Sequence, residues 1–329
     1  MRSVLVVTTD GDFHAAVFHK RFGERSDRKC HVFHVDTIGI RDALAWSLSA
    51  GGAPRLLLRD NDGQEVNLAD VAVIWWRRFN ADPKLPGIEL SQAEFDLVRN
   101  DCRAAALGAM LTCFEGVWIN HPLATRNAEN KLLQLRAAQL AGFRVPETLV
   151  SNCPEEVLEF CRKHQNQVIV KAVRGTKYFS IFTRQVTEEH LRDDASIRVS
   201  PAIYQEMIPG ERHLRVHCFG SEAYSVQINS SDLDWREDLE VPFELIETPA
   251  PIMQSLSKVL KTLGLRMGIF DLKMTPEGEP VWLEINSQGQ FLFSEGLTGF
   301  DLMERFIDFV LQQCENPVLQ SKGWPAEVR

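Results

Sequence analysis

Apolar residues along the first third of the chain fall into short runs separated by polar turns. VLVVTT, HVFHVDT, RLLLRD and VAVIWWRRF read as four strands, and Asn61-Asp62-Gly63 is a turn signal after the third. The pattern then changes: SQAEFDLVRNDCRAAALGAMLTCF predicts one long helix with Ser91 as its N-cap. With GVWINHP closing it, the stretch 1–120 reads as a small α/β domain. Over 121–202 the segment HPLATRNAENKLLQLRAAQLAGFRVP predicts an amphipathic helix, with Leu133, Ala137 and Leu140 at i, i+4 and i+7. Gly142 suits the position after the helix and Pro146 stops it. PETLV, QVIVKAV and SIFTRQV follow as strands, PEEVLEFCRKH as a helix and TEEHLRDDAS as a polar helix or loop. This second stretch is a compact α+β unit.

The third unit, 203–329, is entered through PAIYQEMIPG. HLRVHCFG and AYSVQINS are strands, and APIMQSLSKVLKTLGL is a helix. GIFDLKMT and PVWLEIN form a hairpin around Glu277-Gly278, and GFDLMERFIDFVLQQC is the closing helix. No internal repeat, low-complexity tract or long linker interrupts the chain.

Composition narrows the classes. A chain of 329 residues, 44% hydrophobic and 25% charged, has the profile of a globular protein of two or three domains. Its net charge of −9 provides no basic excess, so a duplex nucleic acid is not the expected partner. The opening apolar run is too short for a signal peptide or a membrane span. Seven scattered cysteines without a CxxC pair suit reduced thiols, and the expected location is the cytoplasm.

The chemistry concentrates in the C-terminal hairpin. A turn centred on Glu277-Gly278 sets Asp271 opposite Glu284 and Asn286 opposite Ile269. Alternation then puts Asp271, Glu284 and Asn286 on one face and Val281, Leu283 and Ile285 on the other. Facing carboxylates repel unless a charge neutralises them. An all-oxygen donor set favours Mg²⁺ over zinc; the plainer alternative is a solvated hairpin face. Lys171 ends the strand VIVK, and Lys131 lies in the first turns of its helix, where each can offer a point charge to phosphate. Gly175 lends freedom to AVRGTKYFS. On HLRVHCFG, His213, Arg215 and His217 share one face, opposite Leu214, Val216 and Cys218. Arg236 in SDLDWRED adds a further cation.

In order along the chain, NAENKLLQL, VIVK, IYQEMIPGERHLRV, GIFDLKM and VWLEINSQGQF resemble the ATP-grasp ligases. Within that superfamily nearly the whole chain is similar to the graspetide (microviridin-type) macrocyclases of ribosomally made, post-translationally modified peptides (RiPPs). VIWWRRF, Asp234-Trp235-Arg236 and EINSQGQF carry that similarity. Ser287 and Gln290 depart from the usual proline and acid, and the stretch between Lys171 and Gln205 is short. The resemblance implies an ATP-grasp fold with a Rossmann-like pre-ATP-grasp domain, a central lid and a C-terminal subdomain. It implies that Lys131 and Lys171 contact ATP phosphates, and that Gln205, Glu206, Met207 and Ile208 line the adenine. It also implies that Glu211 reaches the ribose, that Asp271, Glu284 and Asn286 hold Mg²⁺ as two ions, and that Arg215 and Arg236 stabilise the transferring phosphoryl group. It further implies a precursor peptide with a leader as partner, and a homodimer. The expected reaction is side-chain ester or amide formation through an acyl-phosphate. The alternatives are a ligase for free amino acids or protein tails, and a catalytically silent nucleotide- or peptide-binding module.

Overall fold

The computed structural model describes residues 1–175 and 181–316, in two compact units. The first spans Met1–Pro122, with Gln290–Glu295 and the described residues from Asp301 to Asn316. Its strands β1 (Ser3–Thr8), β2 (Cys30–His34), β5 (Val71–Trp76) and β6 (Val117–Ile119) make a parallel sheet in the order β2-β1-β5-β6. SVLVVT and VAVIWW are buried at every position, as strands covered on both faces must be. The crossovers include α1 (Phe13–Arg25) and α2 (Gln92–Cys113), and Ser91 and Glu94 form a capping box at the start of α2. RLLLRD does not join this sheet. It forms β4 (Arg55–Leu58), which pairs antiparallel with β3 (Leu44–Ser47), a strand with no alternation to announce it. The C-terminal helix Leu302–Glu315 packs within this unit, where the Phe306 ring lies 4.6 Å from Trp75 and 5.6 Å from Phe18.

His14, buried in this unit, accepts hydrogen bonds at Nε2 from the Phe291 and Leu292 amides, at 3.0 and 3.1 Å. Burial, aided by the Arg77 charge, lowers its pKa from 6.5 to about 3. The unfolded chain therefore takes up this proton first, and stability falls as pH drops below 6.5 toward about 3. One such group contributes a slope of at most about 1.4 kcal/mol per pH unit. Denaturant midpoints at stepped pH should decline less steeply for His14→Gln than for the wild type; identical slopes would refute this role.

The second unit spans Leu123–Gly289 and Gly296–Phe300. The single helix expected over HPLATRNAENKLLQLRAAQLAG is two, α3 (Pro122–Ala128) and α4 (Lys131–Leu140). The break comes at Asn130, whose Oδ1 caps the Leu132 and Leu133 amides. The inward face of α4 is also not the expected one. Gln134, Ala137 and Ala138 are buried while Leu140 is 56% exposed, because a helix lying this close to a sheet accommodates small residues. Strands β7 (Thr148–Ser151) and β8 (Val168–Lys171), with α5 (Pro154–Lys163) between them, begin a four-stranded sheet. β9 (Arg184–Gln185) and β10 (Ala202–Glu206) complete it, in the order β7-β10-β8-β9. SIFTRQV supplies only the two residues of β9, and of AVRGTKYFS, 176–180 lie outside the described residues. TEEHLRDDAS runs into two short helices, α6 (Glu188–Arg192) and α7 (Asp194–Val199).

The remaining strands are β11 (Arg212–Phe219), β12 (Glu222–Asn229), β13 (Phe243–Ile246), β14 (Met267–Met274) and β15 (Pro280–Asn286). They form an antiparallel sheet in the order β13-β12-β11-β14-β15. α8 (Ala250–Leu263) and α4 cover one face. Leu214, Val216, Cys218, Phe270, Leu272, Trp282 and Ile285 pack there against helical residues including Ala137, Leu256, Val259 and Leu263. The opposite face carries His213, Arg215 and His217, in the alternation read from the sequence. In the β14–β15 hairpin, Asp271 pairs with Glu284 and Ile269 with Asn286, as expected. A bulge then shifts the register, so that Leu272 pairs with Trp282 and Leu283 is extra. This corrects the expected alternation: Leu283 lies on the same side as Glu284, and Trp282 enters the core.

Candidate active site

A cavity of about 580 Å³ lies within the second unit, in the size range of small-molecule sites. β8 and β10 supply Ile169, Lys171, Gln205 and Glu206 to its lining. β14 and β15 supply Asp271, Lys273, Leu283 and Glu284. Lys131, Arg174, Ile208, His213 and the segment 233–236 are also in its lining.

The two carboxylates at its floor differ. Asp271 is nearly buried, and Arg215 Nη1 donates to both of its oxygens at 2.7 Å. Burial pushes the Asp271 pKa up, Arg215 pulls it down and Glu284 pushes it up again; the result is above the ordinary value. Burial also acts to raise Glu284, but the charges of Lys131, Lys171 and Arg236 outweigh it and hold Glu284 low. Lys131 Nζ lies 3.3 Å from Glu284 Oε2. Lys131 is the first residue of α4, where the helix dipole disfavours a cation, so Glu284 compensates an unfavourable placement. Lys171 has its pKa lowered to about 8 by burial and then by Lys131. The opposed acids, ringed by cations and carrying only oxygen donors, fit a hard divalent ion.

Several neighbours position these groups. Gln134, buried in α4, donates to the Ala128 and Ile285 carbonyls and accepts from the Ile285 amide. It thereby ties β15, next to Glu284, to the helix that begins with Lys131. Asp234 accepts from Arg236 Nε at 2.7 Å and Nη2 at 2.5 Å, and from the Thr183 amide at 3.3 Å. Arg184 pairs with Glu237 beside it. These bonds connect the segment leading into β9 with the segment that carries Arg236. At the far end Arg144 bridges Glu206 and Glu279, at 3.1 and 3.0 Å.

Of the residues named from the sequence, Lys131, Lys171, Gln205, Glu206, Ile208, Arg236, Asp271 and Glu284 line the cavity. Met207 does not, and its amide donates to the Gln167 carbonyl. Glu211 is exposed beyond the lining, and Arg215 is engaged with Asp271 behind it. Asn286 is exposed, and its Oδ1 accepts from the Gln288 amide. Lys273 and Gln134 were not singled out in the sequence, and Asp234 was named only within the Asp234-Trp235-Arg236 motif, without a role of its own. Alternation with Asp271 was a signal for Lys273; the cap before Trp235 was one for Asp234. Gln134 had none beyond being polar among apolar neighbours.

No family model matches the chain. A probable alpha-L-glutamate ligase of Thioalkalivibrio sulfidiphilus is 23% identical over 277 residues, which cover 80% of this chain and 91% of that protein. Among solved structures, macrocyclase MdnC of Microcystis aeruginosa, bound with precursor peptide MdnA, is 26% identical with a TM-score of 0.82. The match covers 94% of this chain and 99% of that one. The ATP-grasp ligase PsnB, complexed with minimal precursor, Mg and ADP, is 23% identical with a TM-score of 0.77 and covers 94% and 97%.

Proposed function

We propose that this chain, similar to a RiPP macrocyclase and to a glutamate ligase, is an ATP-grasp ligase that uses ATP and Mg²⁺ to join side chains of a ribosomally made precursor peptide. The observation that carries the ATP- and Mg²⁺-dependent reading is the Asp271–Glu284 pair on the floor of a cavity framed by Lys131, Lys171 and Arg236. The peptide substrate rests on a likeness to MdnC that runs over nearly the whole chain.

In this reading Asp271, Glu284 and Asn286 would hold two Mg²⁺ ions, which would offset charge on the phosphate oxygens. Lys131 and Lys171 bind the phosphates. Gln205, Glu206, Ile208 and the backbone at Met207 enclose the adenine, and Glu211 meets the ribose. A peptide carboxylate oxygen attacks the γ-phosphorus and ADP leaves, forming an acyl-phosphate. Arg236 steadies the phosphoryl oxygens, while Arg215 fixes the Asp271 carboxylate. A hydroxyl or amine of the same peptide then attacks the acyl carbon, loses its proton and expels phosphate. Water must be kept out during this interval. Of the central portion 121–202, the β7–β9 strands with α5, α6 and α7 act as the lid, since α4 is packed on the β11–β15 sheet; the Thr183–Asp234 and Arg184–Glu237 bonds support that reading. The enzyme works in the cytoplasm.

Mass spectrometry of candidate precursor peptides incubated with ATP and Mg²⁺ tests this reading. Loss of one water per ring with stoichiometric ADP is expected. Gain of an amino-acid mass would favour terminal addition, the reading to which the glutamate-ligase likeness points. Release of AMP would rule out the acyl-phosphate route.

A further inference from the structure

Lys273 is buried in the cavity wall, yet among the described residues it has no carboxylate within hydrogen-bond distance. Its partner is His213 Nε2 at 3.2 Å, on the adjoining strand in direct register. An ammonium has three protons to donate and can accept nothing, so His213 is the acceptor and further donors remain. Burying a lysine against a neutral imidazole is costly unless it serves a ligand. Burial and then Lys273 itself hold His213 down at about 4, which keeps it an acceptor.

Position along the sheet identifies that ligand. Lys273 lies two residues from Asp271 toward the hairpin turn, about 7 Å along the strand. Beyond it the turn meets the end of β10, because Arg144 joins Glu279 to Glu206. Gly210 also fits against Met274 only as glycine: its φ is +113°, and a Cβ there would lie 2.7 Å from the Met274 carbonyl oxygen. Lys273 therefore stands between the acidic pair and the Glu206–Ile208 segment. Its charge interacts with Glu211, whereas Lys131, Lys171 and Arg236 gather around Glu284.

We propose that Lys273, oriented by His213, recognises the ribose of the nucleotide, donating to a hydroxyl oxygen while Glu211 accepts from a hydroxyl. This assignment rests on the ATP reading above. Calorimetric titration with ADP and with 2′,3′-dideoxy-ADP, both with Mg²⁺, tests it. The wild type should bind the dideoxy nucleotide about a hundredfold more weakly, because hydrogen bonds to two charged groups are lost. Lys273→Met should lose about tenfold for ADP and keep only the about tenfold discrimination that the Glu211 contact provides. His213→Leu should reproduce that loss, since the ammonium is no longer held. Loss of affinity for both nucleotides by the same factor in Lys273→Met, with discrimination intact, would mark a phosphate contact and overturn the proposal. So would unchanged discrimination at unchanged affinity. A wild type that binds neither nucleotide would overturn the ATP reading itself.

Discussion

Replacing Glu284 by Gln is expected to lower ATP-dependent ligation by at least about a thousandfold, the scale of losing a metal's Lewis-acid stabilisation. The exchange keeps shape and removes only charge. It also removes the repulsion between Glu284 and its cross-strand neighbour Asp271. The β15 strand stays anchored, because Gln134 bonds to the Ile285 backbone and not to the Glu284 side chain. Because the Lys131 pair is lost, the variant should stay folded but melt at a somewhat lower temperature than the wild type, while single-turnover ADP formation collapses. A wild-type rate of ADP formation in Glu284→Gln would sink the metal assignment. A variant that was inactive but also unfolded would be at odds with the anchoring by Gln134.

The second large effect is expected at Lys171. Changing it to Met should weaken nucleotide binding about ten- to a hundredfold, the range for removing one charge-assisted phosphate contact. Among the described residues the Lys171 ammonium has no ion-pair partner within 4 Å, so little of the fold depends on its charge. Its lowered pKa adds a pH signature. With a value of about 8 in the free protein, Lys171 is charged below that pH and neutral above it. Wild-type affinity should fall as pH rises through about 8, and the affinity of Lys171→Met should be flat over the same range. Calorimetry at stepped pH reads both effects. An unchanged affinity, or the same pH dependence in both proteins, would remove Lys171 from the phosphate site.

Much of this site was legible in the sequence, for a physical reason. A strand alternates its faces, so HLRVHCFG announced His213, Arg215 and His217 on one side and Leu214, Val216 and Cys218 on the other. The register from a turn at Glu277-Gly278 set Asp271 opposite Glu284; next to the turn the strands instead pair Met274 with Pro280 and Lys273 with Val281, and the bulge at Leu283 restores the expected pairing. Alternation failed at Leu283, because a bulge changes the count without a marker such as glycine. The face of α4 was misjudged in a similar way. Leu140 reads as core by hydropathy, but the space against the sheet admits Ala137 and Ala138, and Gln134 is buried for its amide.

The sequence by itself determined the long helix α2, most of the strands, the five ordered motifs and the facing carboxylates. Each of these depends on local periodicity and on neighbours within a single hairpin. Only the tertiary structure decided that Lys131 begins its helix against Glu284, that Asp234 joins Thr183 to Arg236, and that Lys273 rests on His213. Lys131 and Glu284 are 153 positions apart, and Thr183 and Asp234 are 51 apart. Contacts across such separations are set by how sheets and helices pack, and no local pattern of hydrophobic and polar residues encodes them.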